Sequence, residues 1–294
     1  MKKLLRITVA SLLIAALAAC SNGSKPNENK PEGFDTTKEI TVVSREEGSG
    51  TRGAFIELLK IEEKQSDGSK VDHTTKEAVI ANKTDVVLTN VANDDYAIGY
   101  ISLGSLNSTV KAVKVDGVEA TTANIKNGSY KVARPFNIAM NGEGSDLAKD
   151  FVAFMMSAQG QEVVAKSYIK VDDAAPAYAG TAVSGKLVIA GSSSVTPIME
   201  KLVEAYAGVN PNADIEIQMS DSSAGMKAAI DKTADIGMAS RELKAEELAV
   251  LRAQAIALDG IAIVVNNKNT LTDLSSDQIK GVYTGELTTW ADVK

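Results

Sequence analysis

Three times this chain passes from a β-type stretch through a turn crowded with glycine and hydroxyl residues directly into a helical stretch. The segments are ITVVSREEGSGTRGAFIEL from Ile40, LVIAGSSSVTPIMEKLVEAY from Leu187 and IEIQMSDSSAGMKAAI from Ile215. Alternation of short β-type runs with amphipathic helices is the pattern of an α/β fold. Strands are expected at Glu39 to Val43, Lys186 to Ala190 and Ala213 to Ser220, the last alternating Ile215, Ile217 and Met219. Ile261 to Val265 is a continuous apolar run, as a buried strand of a parallel sheet would show. Helices are expected over Thr51 to Ile61, over Pro197 to Val209, and as one long element over Asp146 to Lys166 carrying Leu147, Phe151, Phe154 and Met155. Val115-Asp116-Gly117-Val118 marks a tight turn between extended segments. Similar strand-to-helix turns in separate halves predict two lobes facing one cleft.

The turns carry the informative chemistry. In Ser44 to Thr51 the glycines let backbone approach a ligand, the first-turn N–H groups of the helix point outward, and Ser49 and Thr51 add hydroxyl donors. Arg45 can add a charge-assisted contact. Gly191-Ser192-Ser193-Ser194 and Asp221-Ser222-Ser223-Ala224-Gly225 repeat the arrangement. Any one such turn is accounted for as a helix N-cap, worth about 1 kcal/mol with no ligand involved. Three together, each after a strand, point to an anion site. The Gly-x-x-x-x-Gly-Lys-Ser/Thr phosphate loop of nucleotide hydrolases is absent.

Counting removes several function classes. His73, amid Lys70, Asp72, Thr74 and Thr75, is the only histidine and reads as a solvated surface residue, and Cys20 is the only cysteine, so zinc sites rich in those residues, Ser-His-Asp triads and Cys-His dyads are not expected. No calcium-loop pattern appears either, and no cofactor or metal is expected. Formal net charge is −7, and −10 once Lys2, Lys3 and Arg6 are removed with the leader, which argues against nucleic acid as a partner. That leader has a positive start, an apolar run from Ile7 to Leu17, and small residues before Cys20, as an export signal over 1–19 would. A cysteine at a small-residue cleavage site resembles the bacterial lipobox, which implies lipidation of Cys20 and attachment to the outer face of the cell membrane. Residues 20–37 then read as a polar, proline-bearing tether.

The segments SREEGSGTRGAF, AGSSSVTPIMEKLVEAY, SDSSAGMKAAI and ADIGMASREL, with AIGYISL and AKDFVAFMMSAQGQEVV, resemble those of the phosphate-binding proteins of ABC phosphate transporters. The resemblance covers nearly everything from residue 38 onward. It implies a two-lobed periplasmic-binding-protein-like fold (type II, Venus flytrap), a monomer that clamps inorganic phosphate and docks on the membrane permease, and no enzymatic activity. Carried over by motif, Arg45, Ser49, Gly50 and Thr51 supply one lobe's contacts, and Ser193, Ser194, Ser222 and Ser223 the other's. Where the family has an aspartate that accepts the phosphate proton, this chain has Ser240, which leaves Glu47 and Asp221 as candidate acceptors; Glu47 can alternatively pair with Arg45. Arg52 and Arg241 can add charge to the cleft. Other readings are a sulfate, molybdate or tungstate receptor, or a surface scaffolding lipoprotein.

The resemblance also implies a circularly permuted order. The family's second part comes first here, over 38–180, and its first part follows over 185–294, with the small-residue segment Ala177 to Gly185 as the joint. One lobe is then 38–142 plus 262–294, and the other 143–261.

Overall fold

A computed structural model describes residues 33–180 and 183–293, so the leader and Cys20 lie outside the described residues. The chain runs β1 (Thr41–Arg45), α1 (Gly50–Leu58), β2 (Glu62–Lys64), β3 (Lys70–Asp72), β4 (Val79–Ala81), α2 (Thr84–Asn93), β5 (Ala97–Ser102), β6 (Lys111–Val115) and α3 (Thr122–Lys126). It continues through β7 (Ala133–Asn141), α4 (Asp146–Met155), α5 (Ala158–Val164), β8 (Gly185–Ser192), α6 (Thr196–Ala207), β9 (Ala213–Ser220) and α7 (Ser222–Ile230). It closes with β10 (Ile236–Ala239), α8 (Ala245–Leu248), β11 (Leu251–Val265), β12 (Asp273–Leu274) and α9 (Ser276–Thr284).

Ten strands form one continuous sheet in the order β4-β1-β5-β11-β7-β10-β8-β9, with β6 branching from β11 and β12 pairing with β6. Two cores lie along it. In one lobe Phe55, Tyr100, Ile263, Tyr283 and Trp290 pack together, and Val43, Val87 and Val264 form a second cluster. In the other lobe Phe136, Phe151, Leu187, Leu202 and Ile256 form the main core, with Met226, Ala239 and Leu251 beside it. Among the described strands β7 and β11 run through both lobes, paired from Asn141↔Leu251 to Ala133↔Gly260 with an irregularity between Ala255 and Ala257.

The run Ile261–Val265 is buried throughout, and the reason is visible in its alternation. Ile261, Ile263 and Val265 face the cluster holding α1 and α9, while Ala262 and Val264 face the cluster holding α2. Its direction corrects the expectation: β11 pairs antiparallel with β5, β6 and β7. A continuous apolar run reports helices on both faces of a sheet, and says nothing of strand direction. The expected long helix over 146–166 is also corrected, because it breaks into α4 and α5. Ser157 donates its hydroxyl to Phe154 O (2.7 Å) and accepts the Gly160 N–H (3.3 Å), ending one helix and capping the next. The 115–118 turn is a two-residue hairpin with Asp116 at φ 51° and Gly117 at φ 77°. The tether's last residues are tied to the fold: Phe34 packs against Tyr96 and edge-on to Trp290.

Candidate anion-binding site

The first turns of α1, α2 and α7 meet the Ser192–Ser194 turn that leads into α6. At the end of β1, Arg45 is 2 % exposed and its backbone is fixed from behind. Its N–H donates to the Tyr100 hydroxyl (3.0 Å), which also shares a hydrogen bond with Ser44 Oγ (3.0 Å). Tyr100 stacks on Phe55 of α1 at 3.9 Å, and burial pushes its hydroxyl pKa up to about 12, so it stays protonated. The Arg45 guanidinium grips the Glu46 carboxylate twice at 2.7 Å and reaches across to Ser193 Oγ at 3.1 Å. Glu46 is therefore the partner of Arg45, where the sequence suggested Glu47. Glu46 is still held to β4 through its N–H to Ala81 O, and the chain turns after it, leaving Glu47 exposed on the cleft wall.

The hydroxyls of both lobes form one buried cluster. Thr51 Oγ1 lies 2.8 Å from Ser194 Oγ and 3.3 Å from Ser240 Oγ. Ser240 Oγ accepts from Ser192 Oγ (3.0 Å) and lies 3.5 Å from Ser222 Oγ, while the Ser240 N–H donates to Ser222 Oγ (3.1 Å). Gly50 permits this approach, because a Cβ there would stand 2.3 Å from Ser222 Oγ. Of the other expected residues, Ser49 caps α1 by accepting the Arg52 N–H, and Ser223 lies at the rim, its N–H on Gly48 O across the lobes. Asp221 caps α7 through the Ala224 N–H (2.8 Å) and is half-buried against Gly48. Arg52 is held by Asp72, and Arg241 by Glu247.

Thr84 and Arg134 escape the sequence reading, and Ser192 enters it only as part of its turn. Thr84 Oγ1, at the start of α2, lies 3.4 Å from Ser193 Oγ and 3.3 Å from Ser194 Oγ. Its signal was available, since the apolar run to Ala81 and then Lys83-Thr84 repeats the strand–hydroxyl–helix pattern. Ser192, the first serine of its turn, joins through Ser240. Arg134, on β7, gives no local signal; only the fold brings its Nη2 to Thr51 Oγ1 at 2.9 Å.

Four arginines reach the site region and each is balanced by a carboxylate: Arg45 by Glu46, Arg52 by Asp72, Arg134 by Asp259 and Arg241 by Glu247. Burial pushes the Asp259 carboxyl up to about 6, opposed by the attraction of Arg134. Burial works the same way on Glu247, yet hydrogen bonds from Arg241 and the Lys244 N–H outweigh it and hold that carboxyl below its ordinary value. Attraction for an anion therefore falls to dipoles. Neither α2 nor α6 has a side-chain cap on its first turn, so their N–H donors are not consumed by one. Beside the cluster opens a cleft of about 990 Å³ lined by Glu47, Arg52, Arg134, Ser223 and Arg241 among others. Among the described residues no cluster of His, Cys, Asp and Glu is placed to hold a metal, and no helix is long and apolar enough to cross a membrane.

A two-lobed α/β sheet with hydroxyls of both lobes converging on a buried point is the architecture of a solute receptor that closes on an anion. The family comparison agrees: residues 27–159 and 176–294 match the PBP superfamily domain. A Streptococcus agalactiae protein named phosphate-binding protein PstS 2 is 53 % identical over 296 residues, covering 99 % of this chain and 98 % of its own length. Its Streptococcus pneumoniae namesake is 46 % identical over 294 residues, covering 100 % and 99 %. The crystal structure of a phosphate ABC transporter phosphate-binding protein from S. pneumoniae superposes with a TM-score of 0.70 at 48 % identity, covering 87 % of this chain and all of that one. The chain belongs to the PBP superfamily and, within it, to the family of PstS phosphate-binding proteins.

Proposed function

We propose that the protein captures inorganic phosphate between its lobes and delivers it to an ABC importer. The observation that carries this reading is the donor polarity of the hydroxyl cluster. Ser193 Oγ already accepts from Arg45, Thr51 Oγ1 from Arg134 and Ser222 Oγ from the Ser240 N–H. Each of these hydroxyls is left with its own proton to give. A compact oxyanion accepts several such protons at once, and out of water a donor left without its acceptor is costly. The names of the full-length relatives narrow the oxyanion to phosphate.

Arg45, Gly50, Thr51 and Thr84 contribute from one lobe, and Ser193, Ser194, Ser222 and Ser240 from the other. Ser49 and Ser223 act at the edge, one as a helix cap and one as a cross-lobe backbone tie. Asp221 is better placed than the exposed Glu47 to accept the phosphate proton. Lipidation at Cys20 holds the receptor on the extracytoplasmic face as a monomer, within reach of the permease. Calorimetry on protein freed of phosphate tests the reading: phosphate and arsenate should compete for one site with one ion bound per chain, and sulfate should bind far more weakly. Equal binding of sulfate, or no binding of phosphate, overturns it.

A further inference from the structure

Arg134 is the least expected member of the site, since it is an arginine in the strand pair that joins the lobes. It is 3 % exposed, and its neighbour directly across the ladder, Asp259, is 1 % exposed. The pair falls where the cores change over: Val132 and Ile261 belong to one core, and Phe136 and Ala257 to the other. Every polar edge of the guanidinium is engaged. Nη1 donates to Asp259 Oδ2 (2.8 Å) and Gly260 O (3.2 Å), Nε to Ser240 O (3.0 Å) and Nη2 to Thr51 Oγ1 (2.9 Å). Burying a charge at a hinge is costly unless its position does something there.

Resting on the phosphate reading above, we infer that Arg134 is a positioning residue for the ligand, acting through the Thr51 hydroxyl. A hydroxyl can donate or accept. With Nη2 occupying a lone pair of Thr51, the Thr51 proton is directed away from Arg134, toward the side where Ser194 and Ser240 lie. The same guanidinium pins the Ser240 carbonyl, so one group on the joining strands sets a donor of each lobe. Asp259 holds the guanidinium in plane. Arg45 does for Ser193 what Arg134 does for Thr51, so two buried arginines impose donor polarity on the cluster.

A double-mutant cycle on the full chain separates this from a merely structural role. Thr51→Val and Arg134→Gln should each weaken phosphate binding by on the order of 30-fold, the loss of one charge-linked hydrogen bond. If Arg134 acts through Thr51, the double variant should bind within about threefold of Thr51→Val alone, because the second change removes nothing further. Independent losses that multiply would overturn the inference. Should Arg134→Gln fail to fold, as judged by its melting transition, Arg134→Lys in the same cycle keeps a cation facing Thr51. That variant should retain most of the affinity, and a loss as large as that of Thr51→Val counts equally against the idea. Wild-type protein that does not bind phosphate would sink the functional reading first, and is visible before any variant is made.

Discussion

At Gly50 a side chain would meet the other lobe. A Cβ there would stand 2.3 Å from Ser222 Oγ and 2.9 Å from Ser240 Oγ, while the backbone is ordinary helix that alanine adopts readily. Gly50→Ala should therefore leave the fold's stability nearly unchanged and obstruct closure over the ligand. Phosphate affinity is expected to fall by about 10- to 100-fold, the effect of roughly 1–3 kcal/mol of overpacking in the closed state. Calorimetry beside a melting curve checks it; an unchanged affinity would mean that the lobes do not meet at Gly50 in the bound form. Asp221 bears on selectivity. Its carboxylate lies against Gly48 at the cross-lobe tie, where it can accept a ligand proton and repel a fully ionised anion. Asp221→Asn should narrow the preference for phosphate over sulfate by about tenfold, since the amide oxygen accepts without repelling. Competition between the two ions measures it, and a preserved ratio would move the acceptor elsewhere.

Among the elements, α8 is only one turn long, and Glu247 gives it a purpose. The carboxylate accepts the Lys244 N–H at the helix start (2.8 Å) and grips Arg241 from two sides (2.7 and 2.8 Å), fixing the strand end that carries Ser240. Because its folded pKa is lowered, the stability it contributes is present above the unfolded pKa, about 4.3, and is lost as pH falls through the lower folded value. Glu247→Gln should cost about 1–3 kcal/mol at pH 7, and the gap from wild type should shrink at about pH 3, below the unfolded value. Urea unfolding at both pH values reads this directly, and a gap that does not narrow would contradict it. Elements of this kind also show where sequence patterns stop. Strand-to-helix turns were legible because glycine, hydroxyl and apolar period are local properties, and Thr51, Ser194, Ser222 and Ser240 do meet. The break at Ser157 was hidden because apolar spacing runs through it: Leu147, Phe151, Phe154 and Met155 face the same core as Val164. Arg134 was hidden for a different reason, since its partners Thr51, Ser240 and Asp259 are 83, 106 and 125 residues away.

For the whole molecule, the order of segments is the open question, and the fold supplies a physical basis for permutation. The two ends of the described chain lie side by side. The Ile40 N–H donates to Thr288 O (2.8 Å), the Trp290 N–H donates to Lys38 O (3.3 Å), and Glu39 bridges antiparallel to Thr289. A short linker that joins the segment after Trp290 to Lys38 therefore spans little distance, and closure entropy changes slowly with linker length. Across the molecule, the segment proposed as the joint is anchored before residues 181–182 and again after them, where Val183 O accepts from Asn210 Nδ2 (2.9 Å) and the Gly185 N–H donates to Asn212 O (3.4 Å). Before them, Tyr178 donates to Asp150 Oδ2 (2.5 Å) and its ring meets Phe154 edge-on, and β8 begins at Gly185. Opening the chain after Gly180 and before Val183, with the ends joined, should give a monomer whose phosphate affinity lies within about threefold of the original. A cut before Tyr178 should do worse, since it frees that anchor. The separate piece 38–180 should not fold alone, because β5 and β7 would lose β11, their shared neighbour, and leave ladder edges and both cores open. Size-exclusion chromatography and calorimetry on the reordered protein decide the matter. An independently folded 38–180, or a native protein that is an obligate dimer exchanging β11 between chains, would show that the two parts are not halves of one permuted receptor.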